Sequence, residues 1–255
     1  MTDDIYPDTW VEAVPAAATE GAVVVAGGTG LQPWLTATGT QPPALVHLGG
    51  VSEAWEVDRS ARRMHLGAMV PVDHPVFAAC FGAEGPGWFA TPAVRRRATV
   101  VGNVVSALGP RELGPPLLTL GARLDGLDAA GEPWSRPLFE VLRDGLPAGQ
   151  LATGLAVHTP ERVVYHRMSP RRRLSRVELG VCGGLGEGCG ASVGLGTAAV
   201  PVGTGGASLA DVGADDFVDA ARIAATSLTD DPGRIATVTT LAARVHRDLN
   251  GRTDR

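Results

Sequence analysis

Val23-Val24-Val25-Ala26-Gly27-Gly28-Thr29-Gly30-Leu31 is a β-branched run that stops abruptly in glycine. Such a run predicts a buried strand, and the glycines mark a turn where backbone comes close to something. A turn of this kind aims successive N–H groups into one concavity, which suits a phosphate. Further along, Ala98-Thr99-Val100-Val101-Gly102-Asn103 repeats the idea, with Gly102 and Asn103 at its turn. Two such loops in one chain suit the two ends of a dinucleotide. Taken singly, either loop is equally well explained as a tight turn in a glycine-rich protein.

Composition narrows the alternatives. The 255 residues suffice for one large domain or two modest ones, and 44% hydrophobic content predicts a packed globule. The 34 Gly and 19 Pro predict many turns and few long helices. A formal charge of −5 gives no electrostatic case for nucleic acid or an anionic membrane as partner. All 22 basic residues are Arg. Without Lys there is no Schiff-base lysine and no Walker-A phosphate loop. The cysteines are Cys80, Cys182 and Cys189, odd in number and without a C-x-x-C pair, which argues against a disulfide framework, a zinc site or an iron–sulfur cluster. An acidic start (Asp3, Asp4) without an apolar leader or a long apolar run predicts a cytoplasmic protein.

Working outward from the first loop, residues 8–20 carry a short helical pattern, 22–26 a strand, and 31–35 a helical turn. Short strands are expected at 44–48, 64–68, 122–127 and 151–157, and a helix at 72–81. A boundary is expected near Thr159-Pro160, giving domains 1–160 and 161–255. Beyond it, residues 177–182 and 192–202 predict a hairpin about the turn Gly186–Gly190. A helix is expected at 215–227. Another starts near Asp231-Pro232, with Asp as cap and Pro in the first turn, and its apolar face is Ile235, Val238, Leu241, Ala242, Val245 and Leu249.

Several motifs are absent. The Gly183–Gly196 region never gives G-x-G-x-x-G, the six His show no metal-binding spacing, and G-x-S-x-G does not occur. Arg95-Arg96-Arg97 and Arg171-Arg172-Arg173 read first as solvated faces. The earlier run directly precedes the second glycine loop, so some of its charge suits a bound diphosphate.

In order along the chain, these segments resemble the FAD-binding medium subunit of the molybdenum hydroxylases, the xanthine dehydrogenase and carbon monoxide dehydrogenase flavoprotein family. Ala26-Gly27-Gly28-Thr29-Gly30-Leu31 is similar to the family's A-G-G-T-x-L loop. Trp88-Phe89-Ala90 and Val94 to Asn103 resemble its aromatic position and its I-R-N-x-x-T-I-G-G-N loop. Leu108-Gly109-Pro110-Arg111-Glu112 stands where the family has S-P-x-x-D. Tyr165 to Arg171 resembles Y-x-K-x-x-x-R. The departures are Val101 for the first Gly of G-G-N, Glu112 for Asp, Arg167 for Lys, and Pro201-Val202-Gly203 for P-x-R.

The resemblance implies an α+β protein with a two-part FAD-binding region of the PCMH type and a smaller C-terminal domain of antiparallel sheet and helices. It implies that FAD is held by Val24, Val25, Ala26, Gly27, Gly28, Thr29, Gly30, Leu31, Phe89, Thr99, Gly102, Asn103 and Glu112. Arg167 would approach the isoalloxazine as the catalytic residue and, as a cation, raise its reduction potential. Thr29 stands where folds that tether flavin often place His, so the cofactor is expected to be non-covalent. The implied role is an oxidoreductase passing electrons between iron–sulfur and molybdenum partner subunits and NAD or oxygen. Two alternatives remain at this stage: a stand-alone flavoenzyme acting on a small-molecule donor or acceptor, and a non-catalytic interaction module.

Overall fold

The computed structural model describes residues 2–81, 86–106, 108–109, 111–169, 178–205 and 207–251. The second arginine run and the last part of the Y-x-K-x-x-x-R resemblance fall outside the described residues, as do Pro110 and Val177. The strands are β1 (Asp3–Ile5), β2 (Val23–Val25), β3 (Ala44–His47), β4 (Val57–Arg59), β5 (Arg63–Gly67), β6 (Arg123–Leu127), β7 (Pro133–Pro137), β8 (Leu151–His158), β9 (Arg162–Met168), β10 (Leu179–Leu185), β11 (Ala191–Leu195) and β12 (Ala198–Pro201). The helices are α1 (Trp10–Ala17), α2 (Leu31–Thr38), α3 (Pro75–Ala78), α4 (Pro92–Arg95), α5 (Val100–Val105), α6 (Gly114–Thr119), α7 (Leu138–Asp144), α8 (Ala214–Thr226) and α9 (Pro232–Asn250).

Local signals explain most of these boundaries. Thr9 caps α1 by accepting from the Glu12 N–H, and Asp231 caps α9 by accepting from Gly233 and Arg234. Gly39 closes α2 in the left-handed region, at φ 65°. Three expectations fare differently. The second β-branched stretch does not end in a turn at Gly102 and Asn103, because Thr99 caps the helix α5 and both residues lie within it. The helix expected over 72–81 is only the single turn α3 followed by a 3-10 turn. The arm expected over 192–202 is two strands, because Gly196 at φ 61° turns the chain between β11 and β12.

The strands form three sheets. A parallel sheet runs β1-β3-β2, an antiparallel sheet runs β4-β5-β8-β6-β7, and a second antiparallel sheet runs β12-β11-β10-β9. β2 is therefore an edge strand. Its valines are less buried than a β-branched run predicts, and Val24 is 36% exposed. In the five-stranded sheet, His65 on β5 reaches across β8 to Asp125 on β6, at 3.4 Å. Gly154 of β8 makes the crossing possible, since a Cβ there would lie 2.5 Å from His65 Cε1.

Two apolar clusters fill the interior. One gathers Ala13 through Val157 together with Ala199, and the other packs the four-stranded sheet against α8 and α9 from Leu179 to Leu249. Helix α6 joins them. Its Pro115 sits over Gly194 of β11, where any Cβ would collide with the proline ring. Ser192 donates to the Pro115 carbonyl at 2.6 Å and lies 2.9 Å from the Thr119 hydroxyl. Both hydroxyl residues are fully buried, and Thr119 also reaches the Cys182 carbonyl at 3.3 Å, so the pair ties α6 to β10 and β11 through hydrogen bonds.

Candidate functional site

The two glycine loops meet each other. A Cβ on Gly27 would collide with the carbonyl oxygen of Arg97 and lie 2.7 Å from its carbonyl carbon. What Gly27 approaches so closely is thus the entry to the second loop. Gly28 has a different reason for being glycine. Space is open around it, with only Val25 Cγ1 at 3.8 Å, but its backbone is left-handed at φ 68°. In the second loop, Thr99 caps α5 by accepting from the Gly102 N–H at 3.0 Å. Asn103 accepts from the Leu113 N–H at 3.1 Å and so pins the segment carrying Glu112.

An aromatic wall closes one side. Arg95 donates to the carbonyls of Gly87, Phe89 and Ala90 at 3.2, 2.6 and 2.8 Å. This clamp holds Phe89, 5% exposed, and Ala90, whose φ of 42° is the one positive value for a non-glycine among the described residues. Arg95 is therefore occupied with backbone carbonyls. None of Arg95, Arg96 and Arg97 lines the cavity described next.

These pieces surround a cavity of about 610 Å³, inside the roughly 300–1,000 Å³ typical of small-molecule and cofactor sites. Val24, Val25, Ala26, Gly27, Gly28, Thr29, Gly30, Leu31, Phe89, Thr99, Gly102, Asn103 and Glu112 all line it. The exposure of β2 is explained, because its valines form part of this wall. Val101, which stands in place of a family glycine, is 2% exposed and also lines the cavity.

Arg167 is placed elsewhere. Its guanidinium carbon lies 5.5 Å from the Trp88 ring centroid, and it donates to the Ser169 hydroxyl at 3.1 Å. It faces a separate groove together with Thr237, Thr240 and Arg244. Trp88 lies edge-on to Phe89, so one aromatic ring separates Arg167 from the cavity wall. Tyr165, two residues earlier, also packs edge-on to Trp88, and burial pushes its phenol up.

The sequence reading missed part of the wall. Leu48, Ala68, Ser106, Leu146, Gln150, Leu151 and Ala152 are brought in by other elements and carry no loop motif. The cysteines lie apart from the site. Burial pushes Cys80 and Cys182 up to about 12 and Cys189 to about 11, so all three stay protonated at neutral pH.

The model of the FAD binding domain in molybdopterin dehydrogenase matches residues 3–137, more than half of the chain. The chain belongs to this family. As a member of the FAD binding domain family, it takes FAD as its cofactor. Solved structures share the fold. A chain of quinoline 2-oxidoreductase from Pseudomonas putida 86 aligns with a TM-score of 0.74 and 22% identity, over 98% of this chain and 95% of that one. A chain of carbon monoxide dehydrogenase from Hydrogenophaga pseudoflava, in a form lacking the Mo-pyranopterin moiety, aligns with a TM-score of 0.77 and 16% identity, over 96% and 95%. Reconstituted CO dehydrogenase from Oligotropha carboxidovorans gives 0.74 and 20%, over 97% and 96%. No curated protein matches at the sequence level. Among the described residues, no helix is long and apolar enough to cross a membrane.

The residues present fit the family's cofactor. The backbone N–H groups of Gly27, Gly28, Thr29 and Gly30 donate to no acceptor among the described residues, and all four residues line the cavity. Unspent amides on one concave turn are what a diphosphate requires. The described lining contains no Arg or His, so backbone amides, hydroxyls and the side-chain amides of Asn103 and Gln150 are the donors on offer.

Proposed function

We propose that this chain is the FAD-holding component of a larger oxidoreductase, in which electrons pass between molybdenum and iron–sulfur partner subunits and NAD or oxygen. The observation that carries this reading is the cavity between the two glycine loops, with four unspent amides on its wall. Support comes from alignment along nearly the whole chain with single chains of CO dehydrogenases, one of them a form lacking the Mo-pyranopterin moiety of its molybdenum cofactor.

FAD supplies electron transfer in one- or two-electron steps when bound. The chain's own residues bind and orient. Gly27 to Gly30 offer amide donors for the diphosphate, Arg97 and Ala98 pack against the first loop, and Thr99 caps the helix that carries Gly102 and Asn103. Glu112 supplies a carboxylate acceptor for hydroxyl or N–H donors. Phe89, held by the Arg95 clamp, excludes water from one side. Arg167 acts on the site from behind Trp88, as a positioned cation one ring removed.

Isolated protein tests the reading. A yellow protein, inert to small donors but reduced when iron–sulfur and molybdenum subunits are supplied, is the expected result. A yellow protein that turns over a small molecule alone would point to a stand-alone flavoenzyme, and a colourless one to an interaction module. For Arg167, the expected result of Arg167→Gln is unchanged FAD uptake with a midpoint potential lower by on the order of ten to a few tens of millivolts. Equal potentials would leave Arg167 without a flavin role.

A further inference from the structure

We propose that Gln150 is a further cofactor-holding residue, whose side-chain oxygen accepts a hydrogen bond from a hydroxyl, amino or imide N–H group of FAD. The proposal rests on FAD occupying the cavity. Four buried side-chain polar atoms among the described residues have no hydrogen-bond partner: Trp134 Nε1, Gln150 Oε1, Thr159 Oγ1 and Tyr165 Oη. Of these four residues, Gln150 alone lines the cavity.

A buried acceptor without a donor is costly, and native proteins keep few of them without a reason. The surroundings of Gln150 make the cost plain, because its neighbours on this wall are Leu146, Leu151 and Ala152. The backbone also leaves little room to escape. Gln150 donates its own N–H to the Pro147 carbonyl at 3.2 Å, and the next residue, Leu151, begins β8 and pairs with Leu127. Turn and sheet therefore hold the residue from both sides.

The chemistry selects the kind of partner. An amide oxygen accepts only from O–H or N–H. The ionised diphosphate carries neither, so Gln150 reads another part of the dinucleotide: a ribose or ribityl hydroxyl, the adenine amine, or the ring imide. The amide thus complements the glycine loops, which offer donors where Gln150 offers an acceptor.

The competing partner is Trp134 Nε1, the orphaned N–H donor among the four. Trp134 stands opposite Gly126, where an added Cβ would meet both the indole ring and the Leu151 carbonyl. If the amide served the indole instead, its loss would be felt in the apoprotein and not by FAD.

Two variants decide the matter. Gln150→Met keeps length and flexibility, and Gln150→Leu keeps bulk, so one serves if the other folds poorly. Titration calorimetry of apoprotein with FAD should show about three- to tenfold weaker binding in both variants. Their apo melting temperatures should equal or exceed that of the unsubstituted protein, because an unpaired buried acceptor has been replaced by apolar atoms. Unchanged FAD affinity, or loss of apo stability with affinity intact, would overturn the proposal. An unsubstituted apoprotein that takes up no FAD would bring down the cofactor reading and this one together.

Discussion

Replacing Gly27 by Ala tests how the two loops are built. The new Cβ would overlap the Arg97 carbonyl oxygen and lie 2.7 Å from the carbonyl carbon and 3.1 Å from Ala98 Cα. All three are backbone atoms, so no flexible side chain can swing away. The opposing segment is itself held. Ala98 donates to the Val94 carbonyl at 2.7 Å, and its own carbonyl accepts from the Val72 N–H at 2.8 Å. One loop must therefore move away from the other, at a cost of about 3 kcal/mol, the upper part of the range for overpacking. For a chain of this size that corresponds to a fall in Tm of about 6–12 °C. The same movement displaces the unspent amides at Gly28 to Gly30, so FAD affinity should fall by about tenfold or more. Gly28→Ala is the control. Its Cβ has room, and only the left-handed backbone is strained, for about 1–2 kcal/mol. Scanning calorimetry of the apoproteins and flavin fluorescence titration give both readouts. Gly27→Ala melting within about 2 °C of the unsubstituted protein, or above Gly28→Ala, would refute the close approach of the loops.

Other perturbations probe other links. Ser192→Ala leaves the Thr119 hydroxyl and the Pro115 carbonyl short of a buried partner, and urea unfolding should show a loss of about 1–3 kcal/mol. The His65–Asp125 bridge should make stability depend on pH. The Asp125 hydrogen bond raises His65, a contribution present below the ordinary 6.5 and lost as pH rises through the raised value. For Asp125, burial acts upward, but hydrogen bonds from His65 and Ser135 hold it below the ordinary 3.8, a contribution lost as pH falls through that lower value. The Tm deficit of Asp125→Asn should therefore be largest between 3.8 and 6.5 and shrink in alkali; a deficit independent of pH would remove the bridge from the account. With no basic side chain in the described lining, raising salt from about 0.05 to 0.5 M should change FAD affinity by less than about threefold, and a steep dependence would mean that an arginine holds the diphosphate. Acid precipitation should release the flavin into the supernatant, and colour kept in the pellet would mean a covalent link.

Local physics made much of this protein legible from its sequence. β-branched runs ending in glycine marked β2 and its loop, Asp231-Pro232 marked the start of α9, and the apolar spacing of α9 named its buried face. These features depend on neighbours within one turn or one strand. Thirteen candidate site residues line one cavity; eleven lie on two contiguous motifs, and Phe89 and Glu112 join from the segments on either side of the second. What the sequence withheld depends on approach between distant segments. No local signal says that Gly27 is glycine because of Arg97, that Gly154 is glycine so that His65 can cross β8, or that Gln150 joins the wall. The same holds for charge. Arg95 beside a glycine loop and Arg167 in a strand both suggested an anionic or flavin partner. The tertiary structure gave one to three backbone carbonyls and laid the other over Trp88, because a guanidinium binds whatever acceptor or ring the fold brings within reach.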